Sequence, residues 1–256
     1  MKKVYDFLHN SKIISTFVVS NEREVINKKL YTMKKIFYLF ALVAISLLFV
    51  QCEKEGGVGV HKKHEFVDLG LSVKWATCNV GAETSTDYGD YFAWGETSVK
   101  DAYNWTTYKY CAGAKSTFTK YCSLESYGNE GFVDDKKELE AGDDVAMVNW
   151  KGKWRMPTRS EFAELRDNCT WEWFIKEGVK GYLVKSKKNG NIMFLPAAGF
   201  MSETNQVSVG EKGLYWSNTL NVEAPFHAYI EEFEEGKEDA GMCGRIYGLP
   251  VRPVCP

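Results

Sequence analysis

Histidine and proline are scarce in this chain, which has four histidines and six prolines among 256 residues. The sequence also lacks a Cys-x-x-Cys pair, a phosphate-binding loop, a dinucleotide fingerprint and a nucleophile elbow. A zinc site built on histidine or on clustered cysteines therefore has no support. Nothing in the sequence marks a nucleotide enzyme or a serine hydrolase.

Positive charge is in deficit over most of the chain. Only three of the 34 acidic residues precede Cys52, against eight of the 32 Lys and Arg, so the remainder is acidic. A nucleic-acid partner is not expected, because such a protein needs a basic face to neutralise phosphates. We interpret the densest acidic run, residues 231–235, as a solvated strand edge or loop.

The N-terminal region indicates export. Met33 and two lysines precede an apolar run over residues 36–50, which is typical of a secretory signal and shorter than a membrane span. The junction at Cys52 resembles a bacterial lipoprotein processing site, and the charged residues after it resemble the surface-export tags of Bacteroidetes lipoproteins. The resemblance implies acylation of Cys52, loss of the signal at 33–51, and a lipid anchor holding the protein at the surface of the outer membrane.

The rest of the chain is expected to divide into a tether and one domain. We interpret residues 1–32 as a mis-annotated extension, 52–63 as the lipid-bearing tether and 64–256 as a single globular domain. The alternative for the N-terminus is a membrane anchor around 36–50 with a short cytoplasmic tail. Strands are predicted at 66–69, 73–76, 182–184, 192–195, 213–217, 227–233 and 245–254, the last at an edge or interrupted because of its prolines.

Turn and cap signals add detail to this pattern. Asn189-Gly190 predicts a type I′ hairpin turn. Thr158 and Glu161 form a capping box that predicts a helix with Phe162 and Leu165 on its buried face. A second helix is predicted over 171–177, and the aromatic-rich segment between 98 and 144 has no assigned structure.

Four stretches occur in a recognisable order: Phe66 to Ala76, Tyr91 to Glu96, Trp154 to Thr158 with Glu161 and Leu165, and Tyr215 to Ser217 with Val251 to Val254. Together they resemble the major paralogous domain named from Fibrobacter succinogenes, which is similar to the Legionella collagen-like adhesin C-terminal domain. The helix start is shared with the formylglycine-generating fold, a variant of the C-type lectin fold.

The resemblance implies an α+β, C-type lectin-like domain with one or two helices packed on short, irregular antiparallel sheets. It does not imply one activity, since this fold serves many ligands. We expect structural roles for the residues of its motifs: Trp154, Arg155, Pro157, Thr158, Glu161 and Arg252.

Cysteine number is the next clue. Six cysteines remain after Cys52, and an even number in an exported chain predicts up to three disulfides. Cys111 and Cys122 are the pair closest in sequence, and we expect them to staple the long segment. The catalytic cysteine pair of formylglycine-generating enzymes is an alternative, although no matching motif surrounds Cys243. The disulfide candidates are Cys78, Cys111, Cys122, Cys169, Cys243 and Cys255.

Calcium is the one metal that the sequence leaves open, because its ligands can all be oxygen atoms, which acidic residues supply. Loose clusters occur at Asp87, Asp90 and Glu96, and at Asp134, Asp135, Asp143 and Asp144. Their spacing matches no known calcium loop, and the sugar-binding tripeptides of calcium-dependent lectins are absent. We therefore interpret these carboxylates as solvated and expect no metal and no cofactor.

Aromatic residues are the remaining functional signal, because eight Trp and 14 Tyr exceed what a core of this size requires. Trp rings bind the apolar faces of sugars, yet Trp and Tyr also fill cores. A structural role is favoured for Trp94, Trp154 and Trp216, and exposed contacts for Trp105, Tyr108 and Tyr110. The ligand-binding candidates are Trp94, Glu96, Trp105, Tyr108, Trp216 and Asn218.

Three functional hypotheses follow. The first is a non-enzymatic surface module that binds glycans or proteins. The second is a structural or accessory subunit of a surface appendage or envelope complex, which an exposed strand edge would favour. The third is an extracytoplasmic enzyme, which a deep polar pocket with perturbed titratable groups would favour.

Overall fold

The computed structural model describes residues 58–61 and 63–256, and short antiparallel sheets dominate them. The predicted signal at 33–51, the extension at 1–32 and Cys52 lie outside the described residues. The arrangement is α+β, with far more strand than helix. The strands are β1 (Val58–His61), β2 (His64–Val67), β3 (Lys74–Ala76), β4 (Cys169–Lys176), β5 (Val179–Ser186), β6 (Ile192–Pro196), β7 (Phe200–Ser202), β8 (Asn205–Val207), β9 (Lys212–Leu220), β10 (His227–Glu234), β11 (Lys237–Gly244) and β12 (Val254–Cys255).

The strands form four sheets with orders β1-β2-β3-β12, β4-β5-β6, β11-β10-β9 and β7-β8. The first sheet joins the beginning of the described chain to its end, because β12 pairs with β3. Hairpins supply most of the other pairings, which keeps the sheets antiparallel.

The predicted tether ends earlier than His64. Val58–His61 pairs with β2, and the backbone oxygen of His61 accepts a hydrogen bond from Trp154 Nε1 at 2.9 Å. His64 stacks on Trp150 with ring centroids 3.7 Å apart. Residues interpreted as tether are thus part of the folded sheet, because their backbone groups find partners there.

The strand predictions around 66–76 and 182–195 are confirmed, but two local predictions are wrong. Residues 171–177 form β4 and not a helix, since Trp171 and Trp173 alternate with exposed residues and face the core. Asn189-Gly190 is not a type I′ turn. Gly190 has a φ of 78°, yet five residues separate β5 from β6, more than the two of such a hairpin turn.

The predicted strands at 213–217 and 227–233 are confirmed within β9 and β10. The expected strand over 245–254 is reduced to β12, because most of the segment runs as irregular chain through the buried interior. Its prolines, Pro250 and Pro253, lie in that irregular part, and β12 lies at the edge of its sheet.

Two α-helices occur in the described residues. The predicted one, α2 (Arg159–Asn168), begins at the Thr158 capping box and buries Phe162 and Leu165, each contributing about 2 kcal/mol. The other, α1 (Val145–Trp150), was not predicted. Asp144 caps it by accepting hydrogen bonds from Ala146 N and Met147 N. No helix in these residues is long and apolar enough to cross a membrane.

Buried side chains gather in two clusters. One lies under α2 and the sheets β4-β5-β6 and β11-β10-β9, and includes Trp75, Phe162, Tyr215 and Phe233. The other organises the irregular segment between residues 98 and 144, and includes Trp94, Tyr121, Trp154 and Trp216. Aromatic packing therefore holds the segment that has little regular secondary structure.

Candidate functional site

An open cleft of about 550 Å³ lies beside the β7-β8 hairpin. Its floor contains Tyr91 and Tyr103, and Val99 and Met201 give it an apolar wall. The polar side chains of its rim come from three separate chain segments: Asp90, Lys100, Thr204, Asn205 and Gln206.

The floor is fixed by hydrogen bonds to the backbone. Tyr91 Oη donates to the oxygen of Ala198 at 2.6 Å, and Tyr103 Oη donates to the oxygen of Tyr91 at 2.5 Å. Burial raises the pKa of both hydroxyls above its usual value, so both stay neutral. The two rings therefore form a base that backbone hydrogen bonds hold in place.

The hairpin wall is attached to the same floor. Tyr103 and Glu203 exchange backbone hydrogen bonds of 2.9 and 3.1 Å, and Asn104 Nδ2 donates to Glu203 Oε2 at 2.7 Å. Glu203 has a φ of 52°, which lets the chain turn between β7 and β8 within two residues. This turn presents Thr204 and Asn205 to the cleft.

Lys100 is the one cationic side chain among the lining residues. Its Nζ donates to Glu96 Oε1 at 2.9 Å and to the oxygen of Thr107 at 3.2 Å. The same Nζ lies 5.4 Å from the ring centroid of Tyr103, within the range of a cation–π contact. The ammonium group is thus held in place with its charge largely balanced by Glu96.

Three rim side chains are available to a ligand. Asp90, Thr204 and Asn205 are exposed, and their side chains have no hydrogen-bond or ion-pair partner in the part of the chain that the structure describes. Gln206 contacts Tyr91 through a side-chain hydrogen bond. A carboxylate, a hydroxyl and an amide therefore converge on a rigid aromatic and apolar base.

Three of the predicted ligand residues are unavailable. Trp94 and Trp216 are fully buried, and Tyr108 is 3% exposed. Trp94 Nε1 donates to the oxygen of Ser217 at 2.8 Å, Trp216 Nε1 to that of Phe92 at 2.7 Å, and Tyr108 Oη to that of Trp94 at 2.7 Å. The expectation that Tyr108 and Tyr110 are exposed is wrong, since both rings pack in the aromatic core.

The other three candidates also contact the protein itself. Trp105 is half-buried and packs edge-on against Phe118 at 5.9 Å between centroids. Glu96 is buried and accepts hydrogen bonds from Lys100 and from Lys109 N at 2.8 Å. Asn218 is buried, and its backbone N donates to the oxygen of Pro157.

The motif residues have structural contacts. Arg155 forms a two-pronged ion pair with Glu161, with distances of 2.8 and 2.5 Å. This pairing and the Thr158 N–H hydrogen bond lower the pKa of Glu161, against the effect of burial. Arg252 is fully buried and donates to Asn79 Oδ1 and to the oxygens of Ala76 and Thr77 at 2.8 to 3.0 Å.

The sequence did not single out Arg245, which is fully buried at the centre of the irregular segment. Its guanidinium carbon lies 4.3 to 5.9 Å from the ring centroids of Trp94, Tyr108, Phe118 and Tyr121. It donates hydrogen bonds to Tyr108 Oη and to three backbone oxygens. The sequence around Arg245 gave no sign that it is a buried packing centre. This role depends on four aromatic residues that are distant in the sequence.

Asp143 is a second buried centre in this segment. It accepts hydrogen bonds from Tyr110 Oη, from Tyr121 Oη at 2.6 Å and from Lys120 Nζ at 2.5 Å. Burial alone would raise its pKa, but these donors lower it to about 2. The predicted solvated carboxylate is therefore wrong for Asp143, and also for Asp144, which caps α1 from a buried position.

The acidic run at 231–235 is only partly solvated. Glu231 is fully buried, and its Oε2 accepts a hydrogen bond from Arg166 Nη1 of α2. Burial raises the pKa of Glu231 to about 8, and Arg166 counteracts this only in part. Glu232 and Glu234 pair with Lys212 on the exposed face of the same sheet.

All six cysteines of the described residues are free thiols. Cys111 Sγ lies 3.2 Å from the oxygen of Trp105, and Cys122 Sγ lies 3.2 Å from that of Leu124. The proposed Cys111–Cys122 disulfide is therefore not formed in this structure, because each thiol contacts a different carbonyl. Disulfide formation after the predicted export stays a prediction.

Within residues 58–61 and 63–256, no group of three or more His, Cys, Asp or Glu is arranged to hold a metal ion. The comparisons with known proteins add no assignment. No family model, curated protein or solved structure matches this chain.

Proposed function

We propose that this chain is a lipid-anchored surface protein whose C-type lectin-like domain binds a glycan in the cleft beside the β7-β8 hairpin. The observation that carries the proposal is the set of unpaired rim groups on Asp90, Thr204 and Asn205 above a fixed floor. Sugar hydroxyls both donate and accept hydrogen bonds, so a carboxylate, a hydroxyl and an amide can each bind one. Val99, which is 56% exposed, offers an apolar contact for a sugar ring.

The fold part of the proposal has its own support. Two short, capped helices together with short antiparallel sheets support the α+β arrangement that the family resemblance implies. Trp94, Trp154 and Trp216 are fully buried, which supports the structural roles favoured for them. The lipid anchor depends on the sequence at 33–52 alone, and radiolabelled palmitate incorporation that disappears in Cys52→Ser tests it.

The binding test is a glycan array screened with the full chain in a mild nonionic detergent. Asp90→Asn and Asn205→Ala each remove one rim group and leave the floor intact, because neither side chain has a partner in the described residues. Glu235→Gln is the matched control, since it makes the same acid-to-amide change at an exposed position outside the cleft.

We expect binding to one glycan class, weakened roughly fivefold or more by either rim variant and unchanged in the control. An empty array with folded protein would contradict the glycan proposal. So would binding that neither rim variant affects. If the protein instead bound a protein ligand and that binding required the same rim groups, the cleft would be a protein-binding site.

A further inference from the structure

Strand β4 is an open edge. In the described part of the chain it pairs with β5 and has no neighbour on its other side. Its eight residues contain no proline and its pairing contains no register shift. Natural sheets protect such edges with charges, bulges or prolines. Between Thr170 and Ile175, Glu172 is the only charged residue of β4.

Both faces of this edge expose apolar side chains. Phe174 is 40% exposed and Ile175 is 57% exposed. Because adjacent strand residues point to opposite faces, the two lie on opposite sides of the sheet. On the side of Ile175, Trp173 packs against Tyr182 with centroids 5.2 Å apart and remains half-buried. The apolar surface therefore continues around the edge.

The charges on the edge have no opposite partner within the described residues. Glu172 is exposed and forms no ion pair or hydrogen bond there through its side chain. Lys176 Nζ donates to Ser85 Oγ at 3.0 Å and contacts no carboxylate. Glu172, Phe174 and Lys176 share one face, with the apolar residue midway between the two charges.

We propose that two copies of this chain associate by antiparallel pairing of their β4 edges about a two-fold axis at Phe174. This register places Glu172 opposite the partner's Lys176 twice, once on each side of the axis. It also places Phe174 against the partner's Phe174 and Ile175 against the partner's Trp173. In this one register both exposed apolar residues gain an apolar neighbour, and both unpaired charges gain an opposite charge.

Neighbouring registers do not achieve this. With Trp173 at the axis, Glu172 would face the partner's Phe174 and Lys176 would face the partner's Thr170, so neither charge would be paired. The edge strand β11 is less suited to self-pairing, because Lys237, Glu238 and Asp239 are exposed charges of the kind that protect an edge. This inference does not depend on the ligand proposed for the cleft.

The test is sedimentation equilibrium of the full chain in density-matched nonionic detergent, with a charge-reversal cycle. The variants are Glu172→Lys, Lys176→Glu and the double swap, and Glu235→Lys is the matched control at an exposed position outside β4. Thermal unfolding of each variant checks that the fold is retained, which matters for Lys176 because of its contact with Ser85.

We expect the wild type and Glu235→Lys to form dimers. Each single reversal should weaken the dimer roughly tenfold or more, because the two-fold axis applies it twice, and the double swap should restore association. A wild-type monomer would overturn the proposal. A dimer that survives either single reversal, or one that the double swap does not restore, would overturn it as well.

Discussion

The buried carboxyl of Glu231 predicts an unusual dependence of stability on pH. Its pKa is raised from 4.5 to about 8 in the folded protein, first by burial and then by Asp239 and Glu238, while Arg166 opposes the shift. The folded state therefore binds a proton that the unfolded state has released between these two pH values. Its contribution to stability is present below pH 4.5 and is lost as the pH rises through 8.

The size of this effect follows from the shift in pKa. At about 1.4 kcal/mol for each pKa unit, the full shift corresponds to roughly 4 to 5 kcal/mol between pH 4 and pH 9. Glu231→Gln keeps the shape of the side chain and cannot titrate. We expect the variant to match the wild type near pH 5 and to exceed its free energy of unfolding by several kcal/mol at pH 9.

Urea unfolding of both proteins in a pH series measures this difference directly. The difference between the two curves isolates Glu231, because the lowered pKa values of His64 and His227 and the raised values of the cysteines act equally on both. Parallel curves across the series would refute the reasoning. They would mean that Arg166 keeps Glu231 ionised at neutral pH.

Three further predictions concern the scaffold. Thr158→Ala should lower the free energy of unfolding by about 1 kcal/mol through loss of the α2 cap, and a Thr158→Ser variant that lost as much in urea unfolding would argue against the cap as the cause. Asp143→Asn should cost about 2 to 3 kcal/mol at pH 7, because two tyrosines and Lys120 lose a charged acceptor. Since the folded pKa of Asp143 is about 2, that loss should be unchanged above pH 5 and should shrink as the pH falls from 4 towards 2; a loss that stayed constant down to pH 2 would contradict the assignment. Thiol titration of the unfolded, unreduced chain should detect Cys78, Cys111, Cys122, Cys169, Cys243 and Cys255 if the structure's free thiols persist, whereas missing thiols that reappear after reduction would support the disulfide prediction.

Local signals in the sequence predicted the regular elements well. The α2 cap and the strands within β9 and β10 follow from residue types at fixed spacing, and all are present. The prediction for 171–177 failed because Trp171 and Trp173 satisfy the two-residue period of a strand, and the β5 partner decides the outcome. The β1 strand was missed because a short, glycine-containing segment becomes a strand only when β2 pairs with it.

The candidate site was the hardest part to predict. Its lining comes from segments around residues 90, 100 and 205, which no local pattern connects. Several aromatic residues among the ligand-binding candidates, such as Trp94 and Trp216, are buried in the core. The groups that face the cleft are ordinary polar residues, and only the fold of the β7-β8 hairpin over Tyr103 brings them together.

The most direct test of the binding proposal is to block the cleft and measure affinity for the glycan class that the array identifies. Asn205→Trp places a bulky ring at the rim, and Glu235→Trp adds the same ring at an exposed position outside the cleft. By calorimetric titration of the full chain, binding should be lost in Asn205→Trp and retained in Glu235→Trp. Equal affinity of a folded Asn205→Trp variant and the wild type would contradict the assignment of the cleft as the ligand site.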